Sequence, residues 1–389
     1  MKFEATERLK ALPPYLFVEI DRKRRAAVAA GHDVINLGIG DPDLPTHDFI
    51  LDALRDALAN PNHHRYPPND GIPRFKDAVA RFFGRRYAVQ LDPATQIHPL
   101  IGSKEGLGHL PLATVNPGRT VLVPEPGYPV YRSAAIFAGG VPYTMPLTES
   151  RHWLPDLDAI PPDVASSAAL MFLNYPNNPT GACAPLSFYE QAVEFAHRND
   201  IIIASDAAYN EMYFDDPPPP SILQVEGADE VAVELHSCSK TFNMTGWRLG
   251  FIAGNPQVIA ALARVKANLD SGPFGAIQEA GAAAYDGIER NELRDQIATY
   301  RERRNVLCDG LRKLGFQFET PKATFYVWTR VPNCDDSMAA VNRILDEAAV
   351  VCIPGTGFGP TGQGYIRFAL TVDAERLRTV ISRLSEMKW

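Results

Sequence analysis

Short apolar runs recur along the chain up to residue 253 and alternate with stretches of helical periodicity. The runs lie at 121–123, 169–173, 201–204, 231–235 and 249–253. Helix-length amphipathic segments, such as 188–198 and 258–269, lie between them. Parallel strands buried on both faces give continuous apolar runs, and strand-helix alternation is typical of a layered α/β sheet. We therefore predict a mostly parallel sheet between helices, with ligands at the carboxyl ends of its strands.

The pattern changes beyond residue 287. A long charged helix is predicted over 289–314, and apolar strand-like segments follow at 325–328 and 365–368. This second pattern is typical of a smaller α+β unit. We predict three parts: an amino-terminal arm with part of a small domain at 1–35, a large ligand-binding domain at 36–285, and a small carboxyl-terminal domain at 286–389.

Composition and charge limit the possible partners. A chain of 389 residues suits one large domain with a smaller companion. Its net charge of −8 and pI near 5.6 disfavour nucleic acid and anionic membranes, which attract basic surfaces. An anionic substrate must therefore be met by local arginines. The tetraproline at 217–220 is predicted to be a rigid surface loop.

Cysteine usage and the absence of long apolar stretches indicate the compartment. The five cysteines are scattered and form no CxxC pair, which favours reduced, buried thiols and no metal site. The histidines also lack metal-ligand spacing. The first ten residues have no apolar core, and no later stretch approaches the roughly 20 apolar residues of a membrane span. We expect a soluble, cytoplasmic protein without a membrane or nucleic-acid partner.

Residues 237–250 combine a lysine amine with hydroxyls and an arginine. The amine of Lys240 can condense with an aldehyde as a Schiff base, and burial lowers the pKa of a lysine toward neutrality. Ser237 and Ser239 before the lysine and Arg248 after it are spaced to hold phosphate oxygens. A lysine after serines is ordinary in a basic loop, but the whole string predicts an aldehyde cofactor with a phosphate. Pyridoxal 5'-phosphate is the candidate.

This string resembles the cofactor segment of the class I/II, fold-type I pyridoxal-phosphate aminotransferases, in which Ser-x-Ser-Lys is followed by Gly-x-Arg-x-Gly. The resemblance covers nearly the whole chain and implies the fold-type I transferase fold, with the cofactor in the large domain. Within this group, the region of Tyr15, the turn at 102–104 and the segment 266–274 are most similar to LL-diaminopimelate aminotransferases. The resemblance implies amino transfer from LL-2,6-diaminopimelate to 2-oxoglutarate, a reaction of lysine biosynthesis.

A second motif, Ser205-Asp206-Ala207-Ala208-Tyr209, directly follows an apolar strand. A carboxylate at a strand end can pair with a protonated pyridine nitrogen and keep the ring electron-withdrawing. We assign Asp206 to this role and the hydroxyl of Tyr209 to the phenolate oxygen of the ring. An aspartate in such a position is more often a helix cap. Its spacing from Lys240, which matches the family, favours the cofactor role.

The stretch 174–181 contains the Asn-Asn-Pro-Thr-Gly form, which is more specific than an ordinary turn. In the family, the asparagine before this proline donates its amide to the cofactor's phenolate oxygen. The resemblance therefore assigns Asn178 to the cofactor, and we also expect it to contact the substrate. The Asn178-Pro179 bond is a candidate cis peptide.

Two further elements are predicted to contact the cofactor. Residues 102–106 form a small-residue turn that leads into a helix, and the free amides of such a turn favour an anion. We assign Ser103 and Lys104 to the phosphate, although such turns cap many helices without a ligand. Tyr128 follows a strand and could stack on the pyridine face or simply fill the core. Its position in the family favours stacking.

Substrate recognition requires a clamp for a carboxylate, and a planar guanidinium offers two parallel hydrogen bonds. Arg367 lies within an apolar strand, where a charge is costly unless it is paired or faces outward. We assign it to the α-carboxylate, with Gly40 allowing close backbone approach. Tyr15 and Asn268 match positions that resemble ligand contacts in the diaminopimelate enzymes.

Tyr66 matches the tyrosine that aminotransferases of this fold extend to the phosphate of the neighbouring subunit. The resemblance therefore implies a homodimer with shared active sites. The loop that follows, at 66–71, departs from the better-known diaminopimelate enzymes, whose loop carries an acidic residue that reads the distal end of the substrate. This departure weakens the assignment of the donor.

The predicted mechanism is ping-pong transamination, in which Lys240 removes the α proton of the donor and returns it as a general acid. An aminotransferase for alanine, aspartate, methionine or an aromatic amino acid is the nearest alternative. A carbon-sulfur lyase would use the same lysine and aspartate but would need no oxo-acid acceptor. A regulator with an aminotransferase-like domain would need an additional DNA-binding segment, which we do not expect.

Overall fold

The structure is a computed structural model, and it describes residues 3–13, 16–215 and 217–389. Its strands are β1 (Ile35–Asn36), β2 (Ile97–Leu100), β3 (Thr120–Glu125), β4 (Val141–Pro146), β5 (Ala168–Asn174), β6 (Ile202–Asp206), β7 (Ala232–Ser237), β8 (Gly250–Gly254), β9 (Tyr326–Arg330), β10 (Val350–Val351), β11 (Ile353–Pro354) and β12 (Tyr365–Ala369).

Helices surround these strands. They are α1 (Glu7–Lys10), α2 (Leu16–Ala29), α3 (Asp48–Leu58), α4 (Pro73–Tyr87), α5 (Ser103–Thr114), α6 (Val130–Phe137), α7 (Pro162–Ser167), α8 (Leu186–Asn199), α9 (Ala228–Val231), α10 (Cys238–Thr241), α11 (Pro256–Leu269), α12 (Gly275–Asp286), α13 (Asn291–Lys313), α14 (Ser337–Ala348) and α15 (Ala374–Ser385). The segments predicted as helices correspond to α8, α11 and α13.

A seven-stranded sheet dominates the fold, in the order β2-β8-β7-β6-β5-β3-β4. The five apolar runs predicted as strands up to residue 253 all lie in this sheet, and the predicted α/β class with a mostly parallel sheet is confirmed. The prediction was wrong for the direction of β8, which runs antiparallel to both β2 and β7. A continuous apolar run reports burial on both faces of a strand and carries no information about its direction.

Both faces of this sheet are covered, which explains the continuous apolar runs. Leu122, Met171 and Ile203 lie in one buried cluster with residues of α4, α8 and α12. Their neighbours Val121 and Leu170 lie in a second cluster with residues of α5, α6 and α11. Successive side chains of a strand point to opposite faces, so each strand contributes to both cores.

The carboxyl-terminal part contains a three-stranded antiparallel sheet, in the order β11-β12-β9. Strand β1 pairs in parallel with β10, so a segment near the amino terminus packs with this part of the chain. Ile35 and Leu37 accordingly share a buried cluster with Val350 and Leu377. The domain boundaries that we predicted at residues 35 and 285 stay a prediction.

Other sequence-based expectations concern isolated features. All five cysteines are free thiols, and Cys238, Cys308 and Cys352 are buried. The prolines at 217–220 lie outside helices and strands, as predicted for a loop. Throughout the ranges that the structure describes, no helix combines the length and the apolar character needed to cross a membrane.

Candidate active site

The carboxyl ends of β5, β6 and β7 and the first turn of α5 open into one cavity of about 360 Å³. Asn174, Asp206 and Ser237 line this cavity and are the last residues of β5, β6 and β7. Ligands of open α/β sheets collect at this end of the strands. Most of the site residues predicted from the sequence line this cavity: Gly40, Ser103, Lys104, Tyr128, Asn178, Asp206, Tyr209, Ser237, Ser239, Lys240, Arg248 and Arg367.

Lys240 lies in the short helix α10, directly after β7. Its Nζ donates to the carbonyl oxygen of Gly40 over 2.8 Å. Burial is the main cause that lowers the pKa of this amine to about 8; Asp41 opposes this effect, and the positive charges of Arg248 and Arg367 add to it. The neutral amine that a nucleophile or a general base requires therefore forms closer to neutral pH than it does for a solvated lysine.

Asp206 is the last residue of β6 and is almost completely buried. Burial raises the pKa of its carboxyl to about 6, and two hydrogen bonds that stabilise the carboxylate limit this rise. The hydroxyl of Tyr131 donates to Oδ2 over 2.7 Å, and the amide of Ala208 donates to Oδ1 over 3.3 Å. These two bonds fix the orientation of the carboxylate. Both donors are neutral groups, so neither bond pairs the carboxylate with a cation.

Two tyrosine hydroxyls meet beside Gly40. The hydroxyls of Tyr209 and Tyr326 are 3.0 Å apart, and burial raises the pKa of Tyr209 well above its ordinary value. A Cβ atom on residue 40 would lie 1.8 Å from the Tyr326 hydroxyl. Glycine at this position therefore lets the backbone that accepts the lysine hydrogen bond approach the tyrosine pair.

Arg367 lies in β12 and is buried, so the outward-facing alternative is wrong. Its Nη1 donates to Oδ1 of Asn178 over 2.7 Å, and its Nη2 donates to the carbonyl oxygen of Gly38 over 2.8 Å. The guanidinium also lies over the ring of Tyr326, 4.0 Å from its centroid. These contacts orient the planar group at the cavity wall, where it can meet a carboxylate.

Asn178 reaches the cavity from the loop after β5. Its backbone amide donates to Oδ1 of Asn174 over 2.8 Å, and the amide group of Asn174 donates to the carbonyl oxygen of Asp206 over 2.8 Å. This chain of hydrogen bonds ties the loop to the end of β6. The Asn178-Pro179 bond is cis, as predicted, and the structure contains further cis bonds before Pro126 and Pro176.

The end of the cavity that is formed by the start of α5 and by Arg248 is suited to an anion. Helix α5 begins at Ser103, so the free amides of its first turn point toward the cavity. The Arg248 guanidinium donates to the carbonyl of Thr245 over 2.9 Å and lies 3.5 Å from Oγ of Ser239. A Cβ atom on Gly102 would lie 2.4 Å from this guanidinium, and its φ of 75° also favours glycine.

The side chains of Lys104 and Tyr128 form the rim of this anion-suited end. The Lys104 Nζ lies 5.8 Å from the centroid of the Tyr128 ring, which is half-buried, and the lysine is exposed. An exposed ammonium over an aromatic face adds positive charge without a large desolvation cost. The tyrosine presents a flat apolar wall to the cavity, as a stacking partner must.

Two of the described residues that were predicted as site residues do not line this cavity. Tyr66 is 88% exposed, and Asn268 is exposed with its amide donating to the carbonyl of Arg264 over 2.7 Å. Tyr15 lies outside the described residues. The structure describes a single chain, and the roles of these residues stay predictions.

Comparison with known proteins identifies the family. The profile of aminotransferase class I and II matches residues 32–384. An LL-diaminopimelate aminotransferase from Aquifex aeolicus is 51% identical over 386 residues, which cover 99% of this chain and 100% of that protein. One from Syntrophobacter fumaroxidans is 51% identical over 389 residues and covers both chains completely. The chain belongs to the class I and II aminotransferase family.

A solved structure agrees with this membership. Substrate-bound BacF from Bacillus subtilis superposes on this aminotransferase with a TM-score of 0.94 and is 40% identical, over 99% of this chain and 98% of that one. A mutant aspartate aminotransferase from Thermus thermophilus gives a TM-score of 0.92 at 29% identity. The predicted fold-type I transferase fold is confirmed.

Sequence analysis missed two tyrosines of the aminotransferase site. Tyr326 contacts Gly40, Tyr209 and Arg367, yet it lies in an apolar strand where the sequence suggested only a core residue. Tyr131 lies in α6, 75 residues before Asp206 in the chain. The proximity of Tyr131 to the motif at 205–209 could have been found only from the pairing of β3 with β5, because no local signal marks it.

The buried side chain of Lys266 anchors α5, the helix whose first turn forms the anion-suited end of the cavity. Lys266, in α11, donates to Oε2 of Glu105 over 2.7 Å and to Asp270 over 3.1 and 3.2 Å. Oε2 of Glu105 also accepts from the amide of Ile101 over 3.0 Å. His109 completes the cluster, with Nδ1 2.7 Å from Glu105. The lysine thus supplies the cation that this group of acidic side chains requires.

Proposed function

We propose that the chain is a pyridoxal-phosphate-dependent aminotransferase that transfers the amino group of LL-2,6-diaminopimelate to 2-oxoglutarate. One observation carries the chemistry: a half-buried lysine with a pKa of about 8, a buried carboxylate and a buried guanidinium share one cavity. The donor is supported by the identity of 51% to two diaminopimelate enzymes over the whole chain.

The residues of the cavity fit pyridoxal 5'-phosphate. The first turn of α5, with Ser103 and the nearby Arg248, offers amides, a hydroxyl and a guanidinium to a phosphate. At the other end, the buried carboxylate of Asp206 suits a protonated pyridine nitrogen, and this partner would offset its desolvation. Lys240 lies between Asp206 and Arg248 in the sequence and opens to the same cavity as both, where an aldehyde can be held.

The positions of these residues suggest their roles in the reaction. Bound pyridoxal phosphate supplies an electron sink that stabilises the carbanion formed on the substrate. Lys240 would act as the general base toward the α proton of the donor and as the general acid that gives the proton back, for which a pKa near working pH is suited. Arg367 would hold the α-carboxylate, and Asn178 and Tyr209 would offer hydrogen bonds to the phenolate oxygen of the cofactor. The same site then accepts 2-oxoglutarate, which gives ping-pong kinetics.

The proposed enzyme is a cytoplasmic homodimer with shared active sites. The support is that Tyr66, an aromatic residue at 88% exposure, matches a tyrosine that related enzymes extend to the neighbouring phosphate. Asn268 and Leu269 are also exposed at the end of α11, in a segment that resembles ligand contacts of the diaminopimelate enzymes. A partner subunit would cover such side chains, and its contribution would complete the substrate site.

The test is a donor panel with purified, cofactor-loaded protein. LL-diaminopimelate, alanine, aspartate and methionine are each paired with 2-oxoglutarate, and glutamate formation is measured. We expect the highest kcat/KM for LL-diaminopimelate. Efficient use of alanine or aspartate without LL-diaminopimelate would remove the substrate claim and leave the aminotransferase. Release of pyruvate from a β-substituted amino acid without an oxo acid would instead indicate a lyase.

A further inference from the structure

A second cavity, of about 640 Å³, lies away from the active site and concentrates positive charge. Four arginines line it: Arg85, Arg86, Arg294 and Arg301. The acidic side chains at its wall are Glu211 and Glu289. An excess of arginine in one cavity contrasts with a chain whose net charge is −8. Such local charge attracts anions.

The arginines of this cavity differ in how they are held. Arg86 pairs with Glu211 at 3.0 Å, and Arg85 donates to the carbonyl of Tyr285 over 3.0 Å. Arg294 and Arg301 are exposed on α13, seven residues apart and therefore on one face. Among the residues that the structure describes, none accepts a hydrogen bond from either guanidinium or forms an ion pair with it. Two donors with five N–H groups each are thus available to a ligand.

Apolar side chains also line the cavity: Phe82 and Leu293 are buried in its wall, and Ile288 and Ile297 are half-buried. A bare inorganic ion would leave the exposed parts of Ile288 and Ile297 in contact with water, whereas an organic anion covers them while its charged ends meet the guanidiniums. A planar guanidinium binds both carboxylates and phosphates through two parallel hydrogen bonds.

We propose that this cavity binds a small organic polyanion whose charged groups are carboxylates or phosphates. A ligand in this cavity would contact both Thr241, in the part of the fold that carries Lys240, and helix α13. Thr241, next to Lys240, lines the cavity, and its carbonyl accepts from the amide of Gln296 over 3.1 Å. Gln296 belongs to α13, as do Arg294 and Arg301. The site is separate from the aminotransferase cavity, and its occupancy does not depend on which donor the enzyme uses.

The experiment is calorimetric titration of the cofactor-loaded, full-length protein. Citrate is the carboxylate probe and fructose 1,6-bisphosphate is the phosphate probe, each at ionic strength kept constant with chloride. The test variant is Arg294→Ala/Arg301→Ala, which removes two side chains without intramolecular partners among the described residues. The control, Arg198→Ala/Lys313→Ala, removes the same charge at exposed positions outside the cavity.

We expect saturable binding of at least one probe to the unmodified protein and a roughly hundredfold weaker affinity in the test variant, since each arginine contributes charge-assisted hydrogen bonds. The control variant should bind as the unmodified protein does. Preference for citrate assigns the site to carboxylates, and preference for the bisphosphate assigns it to phosphates. Absence of binding, equal weakening in the control variant, or unchanged affinity in the test variant overturns the proposal.

Discussion

The hydroxyl of Tyr131 holds the carboxylate of Asp206 at 2.7 Å in the buried wall of the active site. Because the pKa of Asp206 is raised to about 6 by burial and lowered in part by this bond, the tyrosine keeps the carboxyl ionised at neutral pH. The strength of cofactor binding should therefore depend on a residue that is not assigned to contact the cofactor.

Replacement of Tyr131 by Phe should raise the pKa of Asp206 further. Pyridoxal phosphate binding by the apoprotein, followed by fluorescence across pH, should then weaken on the acid side, with its midpoint displaced to higher pH. Tyr143→Phe, at a partly buried position in β4, is the matched control and should leave the midpoint in place. An unchanged midpoint in Tyr131→Phe would show that the hydrogen bond does not control this ionisation.

The depressed pKa of Lys240 predicts a pH-dependent stability. In the apoprotein this pKa is about 8, whereas an unfolded lysine has a pKa of about 10.4. Between these values the unfolded chain binds more protons, so the free energy of unfolding rises with pH. Across the interval between the two pKa values, the free energy of unfolding should rise by about 3 kcal/mol.

Urea unfolding of the apoprotein between pH 7.5 and 10 should reveal this dependence as a difference between two proteins. The unmodified apoprotein should gain stability relative to Lys240→Met as the pH rises, since Met cannot titrate. A constant difference across the range would contradict the lowered pKa. Comparing the two proteins removes the contributions of all other titrating groups that they share.

Truncation of Arg367 should weaken every donor alike. The guanidinium is oriented by Asn178 and Gly38, so Arg367→Ala removes the preformed group that we propose to bind the α-carboxylate. We expect a loss of about 3 kcal/mol, roughly a hundredfold in kcat/KM. Arg330→Ala, an exposed arginine of the neighbouring strand β9, is the control. A loss confined to one donor would assign Arg367 to the distal end of the substrate.

Subunit mixing tests whether Tyr66 acts across a dimer. Lys240→Ala and Tyr66→Ala should each be nearly inactive alone. In a mixed dimer, one site combines an intact Lys240 with an intact Tyr66 from the other chain, so remixing the two variants should restore activity, up to about a quarter of normal for random pairing in a twofold dimer. If Tyr66 acted within its own chain, each site of a mixed dimer would carry one of the two substitutions, and remixing would restore no activity.

The two cases are distinguished by a double variant. Lys240→Ala/Tyr66→Ala chains mixed with unmodified chains leave no intact site in the mixed dimers when Tyr66 acts across the interface. They leave one intact site when it acts within its own chain. Sedimentation of each mixture confirms that the dimers have exchanged subunits. Activity that follows the number of unmodified chains would remove the shared-site proposal.

Sequence reasoning found those residues of the candidate site that local chemistry marks, and the structure brings them to one cavity. Lys240, Asp206 and Asn178 each follow an apolar strand within a distinctive motif, and the common edge of a parallel sheet brings them together. Tyr326 and Tyr131 have no such motif, because their roles arise from packing between elements far apart in the chain.

The limits of the fold prediction have similar causes. Strand β2 contains His98 and Pro99, and strand β4 contains prolines and half-exposed residues, so neither gives a continuous apolar run. The pairing of β1 with β10 joins segments more than three hundred residues apart. Two-residue strands carry too little pattern to predict from sequence, and their position is fixed by the tertiary packing of Ile35 and Leu37.

The pairing of Ile35 with Val350 has a consequence for the order in which the molecule is assembled on the ribosome. Every strand of the seven-stranded sheet has been synthesised once residue 254 emerges, so this layer and Lys240 can fold early. Strand β1 must wait for its partner, and Arg367 in β12 follows later still. The nascent chain therefore contains the sheet and Lys240 well before it contains Arg367, the guanidinium that we propose to hold the carboxylate of the amino acid.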